Sequence, residues 1–287
     1  MYKNFKKNRS AESLLFRLKL TFKIKRRYMF AKAIYQKLVT ALIFVGVIAA
    51  NAAANGIPIN GYTTGELSDR YVNLFTPAGF TFSIWGVIYL GLLGFVLVML
   101  FSKSANLPRT EITQLWLVNG LANIAWIFAW HYLKISSSMV IMLIILLSLI
   151  WLTDALRRVA QPDTSTRYVS AVFDLYFGWI TVATIANATA LLVAFDFDGW
   201  SLSEAEWTVV MISVAAILSG LVFIFKKSIW YLLPVLWALY GIHAKHGATW
   251  GFRNAYPEIL STLRWAFGAL LILVLLQLLL AKAKRSS

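Results

Sequence analysis

The chain has 287 residues, 60% of them hydrophobic, and a mean hydropathy of +0.70; ordinary soluble domains are only about 45–50% apolar, so a single water-soluble core is excluded and an all-α, polytopic membrane bundle is expected. No cysteine is present, which excludes disulfides, thiolate nucleophiles and cysteine metal sites. The net charge of +15 does not point to nucleic acid, because twelve of the 27 Lys and Arg residues fall between Lys3 and Lys37.

Residues 1–37 read as a basic segment that begins with ten basic residues and one acid in the first thirty. One reading is a cytoplasmic tail drawn to anionic lipid, with Leu14, Leu15, Leu18 and Phe22 as a short apolar stripe. The other is that residues 1–28 precede a true start at Met29. Eight apolar spans are then expected, near 38–55, 79–101, 113–132, 137–156, 168–194, 206–225, 229–244 and 260–281. The seventh is short and holds Pro234.

Charge tests that count. With the basic segment inside, Lys103, Arg109, Arg157, Arg158, Arg167, Lys226, Lys227, Lys282, Lys284 and Arg285 are inner. Only Arg70, Lys134, Lys245 and Arg253 are outer, and Asp196, Asp198, Glu204 and Glu206 crowd one outer connection. This alternation follows the positive-inside rule and gives a multi-pass protein of a bacterial-type inner membrane with both termini cytoplasmic.

The longest connection, Asn55 to Thr76, holds Gly56, Pro58, Gly61 and Gly65 with Tyr62, Tyr71 and Phe75. A long loop of this kind reads as a lid over a pocket mouth rather than a solvated linker. In the second span Trp85 and Tyr89 share a face, and its glycines suit close helix contact. In the third, Asn119, Asn123, Trp126 and Trp130 recur at i, i+4, i+7 and i+11. Each Asn either bonds a neighbouring helix or offers polar groups to a flat ligand. In the fifth, Trp179, Ala183, Asn187 and Ala190 form a stripe of one indole, small residues and a carboxamide, a face that belongs inside the bundle.

Three blocks in this order resemble the TspO/MBR family of tryptophan-rich sensory or translocator proteins. They are Thr76-Pro77-x-Gly79-x-x-Phe82-x-x-Trp85-x-x-x-Tyr89, the Gln114 to Trp126 stretch with Asn119 and Asn123, and Tyr176-x-x-Trp179-x-x-x-Ala183-Thr184-x-x-Asn187. The resemblance covers roughly 38–193, so a five-helix family domain (38–194) is expected, followed by three additional spans and a short basic C-terminus (195–287). It implies binding, with transport or sensing, of a hydrophobic planar ligand such as a porphyrin or haem. Trp179 and Trp126 would stack on that ligand, with Trp85 beside them. Ala183 would leave room, and Asn119, Asn123 and Asn187 would meet its polar edge. The chain departs from the family pattern where Ile127, Phe128 and Ala129 lack a proline, where Leu175 replaces one, and where 139–149 lacks an acid.

The remaining candidates are weaker. Asp174 inside the fifth span supports an alternative, a secondary transporter of a small metabolite or cation. Asp154 is one turn from Arg157 and Arg158 and is expected to pair locally. His243 and His246 have metal-compatible spacing without a third ligand. No catalytic triad, phosphate loop or metal motif stands at usable spacing, so the chain is read as a non-enzyme without a resident cofactor. The partners expected are membrane lipid, a small hydrophobic ligand and a second copy of the chain.

Overall fold

The computed structural model describes residues 2–57 and 59–286, with side chains described for 21–57, 59–280 and 282–283. The Leu14, Leu15 and Leu18 stripe therefore lies outside the described side chains; Phe22 is exposed. Among the described residues the α-helices are α1 (Tyr2–Gly56), α2 (Thr64–Arg70), α3 (Ile84–Phe101), α4 (Arg109–His131), α5 (Ile135–Arg157), α6 (Thr164–Ala194), α7 (Glu204–Lys226), α8 (Ile229–Gly247) and α9 (Pro257–Ser286), with no strand. Seven of them are long and apolar enough to cross a membrane, and the chain is a polytopic membrane helix bundle.

The eighth expected span, α8, lacks a sufficiently apolar window and is not among the seven. The reason lies in its surroundings. It packs chiefly on α6 and next on α9, with α7 and the 79–83 turn also against it, and Tyr231, Leu232, Val235, Ala238 and Ile242 are fully buried while Trp230, Leu233 and Tyr240 stay exposed. A helix with most of its surface on other helices needs less apolar surface than one facing lipid all round. Its 19 residues still cover about 28 Å at ~1.5 Å each. Tyr231 Oη meets Thr181 Oγ1, Trp237 Nε1 donates to the Thr81 carbonyl, and His246 Nε2 lies 2.9 Å from the Leu74 carbonyl oxygen. The helix thus runs alongside α6 from the basic end of the bundle to the end that carries the 55–76 connection.

Helix α6 is the centre. In its most apolar window 61% of the positions are buried, against 17–39% in the other six spans. It packs on α3, α5, α7 and α8. Gly178 makes the α8 contact: a Cβ there would stand 2.0 Å from the Tyr231 carbonyl oxygen. On the other side α1 packs on α4, with Trp116 Nε1 donating to the Thr40 carbonyl and Ile43 filling the notch at Gly120. Small residues let these backbones approach where lipid supplies no hydrophobic drive between helices. Gly91 and Gly94 of α3 likewise take Val172 and Tyr168 against them, whereas Gly79 and Gly86 face open space.

The basic end is laced by pairs that differ from the local one expected for Asp154. Asp154 meets Lys226 of α7, Arg158 meets Glu111 of α4, and Arg157 reaches Asp174 of α6. The one carboxylate that adjoins these arginines in sequence, Asp154, is thus paired with a neighbouring helix instead.

Candidate functional site

The 55–76 connection is more ordered than its glycines suggest. Thr63 and Glu66 form a capping box: the Glu66 carboxylate accepts from the Thr63 amide at 2.7 Å and the Glu66 amide donates to Thr63 Oγ1 at 3.3 Å. This starts α2, a helix that the loop reading missed although Thr63-Thr-Gly-Glu66 spells its start. The two donors of Thr63, its amide N–H and its hydroxyl, hold the Glu66 carboxyl below the usual carboxylate range.

Helix α2 is pinned over the loop end of α4. Leu67 is fully buried against Trp130 and Ala190. Trp130 Nε1 donates to the Thr64 carbonyl. The buried His131 ring reaches Thr64 Oγ1 and the Ile59 carbonyl, both at 3.1 Å. The following segment is turned by Asn73, whose Oδ1 accepts from the Phe75 and Thr76 amides.

Beneath this cover lie two adjoining chambers that share Thr64, Phe82 and Trp126 as walls. The outer one, about 600 Å³, is bounded by Asn51 and Asn55 of α1, by Thr63 and Gly65, and by Trp85 and Tyr89 of α3. The inner one, about 60 Å³, is lined by Trp179, Ala183, Ala186 and Asn187 of α6, by Trp130, and by Ser68 of α2.

The aromatic groups divide between the chambers. Trp85 stacks on Tyr89 with centroids 5.3 Å apart and meets Trp179 edge to face at 6.2 Å. Trp126 stacks on Trp130 at 5.5 Å, with ring planes 16° apart. Such pairs contribute about 0.5–1.5 kcal/mol beyond area burial and fix ring orientation.

Most polar groups of the inner chamber are already engaged. Trp126 Nε1 donates to Asn187 Oδ1 at 3.0 Å, and Asn187 Nδ2 donates to Ser138 Oγ at 3.1 Å. Thr64 Oγ1 meets His131. Trp179 is the exception: its ring is 3% exposed and its Nε1–H is buried with no hydrogen-bond partner. A buried donor left unpaired costs about 1–3 kcal/mol, so this position invites an acceptor.

Five of the seven residues singled out in the sequence therefore converge: Trp179, Ala183 and Asn187 on the inner chamber, Trp85 on the outer, Trp126 between them. Asn119 and Asn123 line neither. Asn119 is fully buried and donates to Ser148 Oγ of α5 at 2.9 Å. Asn123 donates to Tyr176 Oη of α6 and accepts from Asn51 Nδ2 of α1, both at 3.0 Å. They share a stripe with Trp126, but at their depth that face meets helices rather than space. Asn51 and Asn55, an i, i+4 amide pair on the outer chamber, went unread in the sequence although their spacing was visible.

Asp174 lines neither chamber. Arg157 Nη2 lies 3.0 Å from both its carboxylate oxygens. His243 and His246 gather no third His, Cys, Asp or Glu ligand, and no such metal-holding group occurs among the described residues.

The family model described as TSPO-like protein matches residues 37–280, running past Val193 through the last three long helices. No curated protein and no solved structure matches the chain.

Proposed function

The chain belongs to the TSPO-like protein family, and from that premise we propose that it binds a hydrophobic planar ligand, such as a porphyrin or haem, in the paired chambers beneath α2. The unpaired, buried Trp179 indole N–H carries this reading, because it is a donor without an acceptor at the wall of an otherwise satisfied aromatic site. An outer chamber of about 600 Å³ falls within the ~300–1,000 Å³ of ordinary small-molecule sites. The inner one has room for an edge or substituent only, so Trp85, Tyr89 and Trp126 would face the ring while Trp179 takes a polar atom. Asn187 acts by holding Trp126, and Asn123 by holding Asn51. On this reading the protein is a binder that senses or moves its ligand, not an enzyme, and it sits in an inner membrane with cytoplasmic termini.

The test is quenching of tryptophan fluorescence by protoporphyrin in the detergent-purified protein, beside Trp179→Phe. Saturable quenching at micromolar ligand, weakened about tenfold or more in the variant, is expected for loss of one buried hydrogen bond. Equal, saturable quenching in a folded variant overturns the assignment of Trp179. Linear quenching in both overturns the ligand. A transporter built on Asp174 has no comparable support, since its carboxylate is occupied by Arg157.

A further inference from the structure

The walls of the two chambers beneath α2 carry hydrogen-bonding groups and no charge. No Lys, Arg, His, Asp or Glu lines either of them. Arg70, the one basic residue of the 55–76 connection, lies over the Tyr62 ring. The His131 ring nitrogens are taken up by Thr64 Oγ1 and the Ile59 carbonyl. Thr63, which lines the outer chamber, instead holds a negative charge. The Glu66 carboxylate accepts from its amide at 2.7 Å and from its hydroxyl at 2.9 Å.

Helix α1 adds two acceptors to the outer chamber. Asn51 and Asn55 stand one turn apart, and both line it. The backbone fixes how each carboxamide is turned, because only the nitrogen can donate to a carbonyl. Asn51 Nδ2 donates to the Val47 carbonyl at 2.9 Å and to Asn123 Oδ1 at 3.0 Å, which uses both its hydrogens. Asn55 Nδ2 donates to the Asn51 carbonyl at 2.9 Å. Neither Oδ1 receives a donor among the described residues. Asn51 is half-buried, yet its oxygen is not sealed off by protein, and Asn55 is exposed. On α3, Trp85 Nε1–H and Tyr89 O–H are likewise unpartnered and not sealed off.

Resting on the reading that a planar ligand occupies these chambers, we propose that the outer one selects a ligand whose edge is uncharged and carries N–H donors together with a carbonyl, a planar carboxamide rather than a carboxylate. The amide N–H groups would donate to Asn51 and Asn55 Oδ1, and the amide oxygen would accept from Trp85 or Tyr89. A carboxylate could use the α3 donors only. It would find no cation in either wall, and it would meet the Glu66 charge behind Thr63. An ionised group without a counter-ion is costly to take out of water, and the two asparagine acceptors would lose their solvent without gaining a partner.

Three porphyrins with one ring and different edges separate charge from hydrogen bonding: protoporphyrin, its dimethyl ester and its bis-carboxamide. Each is titrated into the full chain in maltoside micelles by tryptophan quenching, with concentrations referred to the micelle through the partition measured in protein-free micelles. The bis-carboxamide should bind about tenfold tighter than the ester, and the ester about tenfold tighter than the diacid. Asn55→Leu should narrow the gap between carboxamide and ester. Asn55→Lys, which sets a cation in that wall, should raise the diacid above the ester. In the unaltered chain, carboxamide binding no tighter than the ester, or diacid binding as tight as either, overturns the proposal and leaves the planar-ligand reading standing. Quenching that saturates with none of the three overturns both. The order in the unaltered chain decides whether or not the variants fold.

Discussion

Trp126 and Asn187, 61 positions apart, are joined by a 3.0 Å hydrogen bond from the indole nitrogen to the carboxamide oxygen. The bond ties α4 to α6 at the partition between the two chambers, and Ser138 of α5 completes it. Asn187→Ala should therefore cost about 0.5–2 kcal/mol in unfolding from detergent, the range for interhelical hydrogen bonds in membranes. Trp126→Phe should cost less in the Asn187→Ala background than alone. Additive costs in that double-mutant cycle would mean that the pair is not coupled.

Gly178 and Gly86 make a matched contrast. A Cβ at Gly178 meets the Tyr231 backbone, which has no rotamer to change, whereas one at Gly86 meets nothing within 4 Å. Gly178→Ala should destabilise by about 1–3 kcal/mol, the usual cost of overpacking, and loosen α8 from α6. Gly86→Ala should be neutral or slightly stabilising, since alanine favours the helix. Thermal unfolding of the two variants side by side decides the point.

These contacts mark what the sequence could and could not reveal. Spacing fixed the angle at which Trp179, Ala183 and Asn187 leave α6, and they do share the inner chamber. The same rule put Asn119 and Asn123 beside Trp126, yet spacing within one helix does not say which neighbour stands opposite at each depth. Ser148 and Tyr176 do, and each accepts from the amide nitrogen opposite it. Helix α8 was legible as apolar but not as packed on other helices, because its mixed composition reflects contact with α6 and α9. The Arg157–Asp174 pair was hidden for the same reason: local spacing favoured Asp154, and only packing brings α6 alongside.

Acid should loosen the cover before it unfolds the bundle. The Glu66 carboxyl lies below its ordinary range because the charged form accepts from Thr63. A depressed carboxyl contributes stability that is complete above its unfolded pKa and disappears as pH falls through the folded one. The α2 cap should thus hold at neutral pH and weaken below about pH 4. Indole emission from the Trp126 and Trp130 region should shift red over that range, and Glu66→Gln should remove the corresponding part of the shift. An identical profile in both proteins would detach the cap from the cover.

Asp174→Asn should weaken the basic end without touching the ligand site. Arg157 would keep its contact to the Lys226 carbonyl but lose its counter-ion. The Asp174 side chain is 5% exposed and that of Arg157 28%, so part of the penalty is screened and a cost of about 1–3 kcal/mol is expected. Protoporphyrin quenching in the folded variant should match the parent. Loss of binding at undiminished stability would instead bring Asp174 into function and revive the transporter.

The absence of cysteine makes orientation directly measurable. Lys134 and Asp196 lie at the end of the bundle that carries α2, and Ala160 lies at the end that carries Arg157, Arg158 and Lys226. A membrane-impermeant maleimide applied to intact cells should label Lys134→Cys and Asp196→Cys, and should reach Ala160→Cys only after lysis. This follows because basic connections resist translocation. Labelling of Ala160→Cys alone would invert the bundle, put both termini outside, and turn the cover over the aromatic chambers toward the cytoplasm.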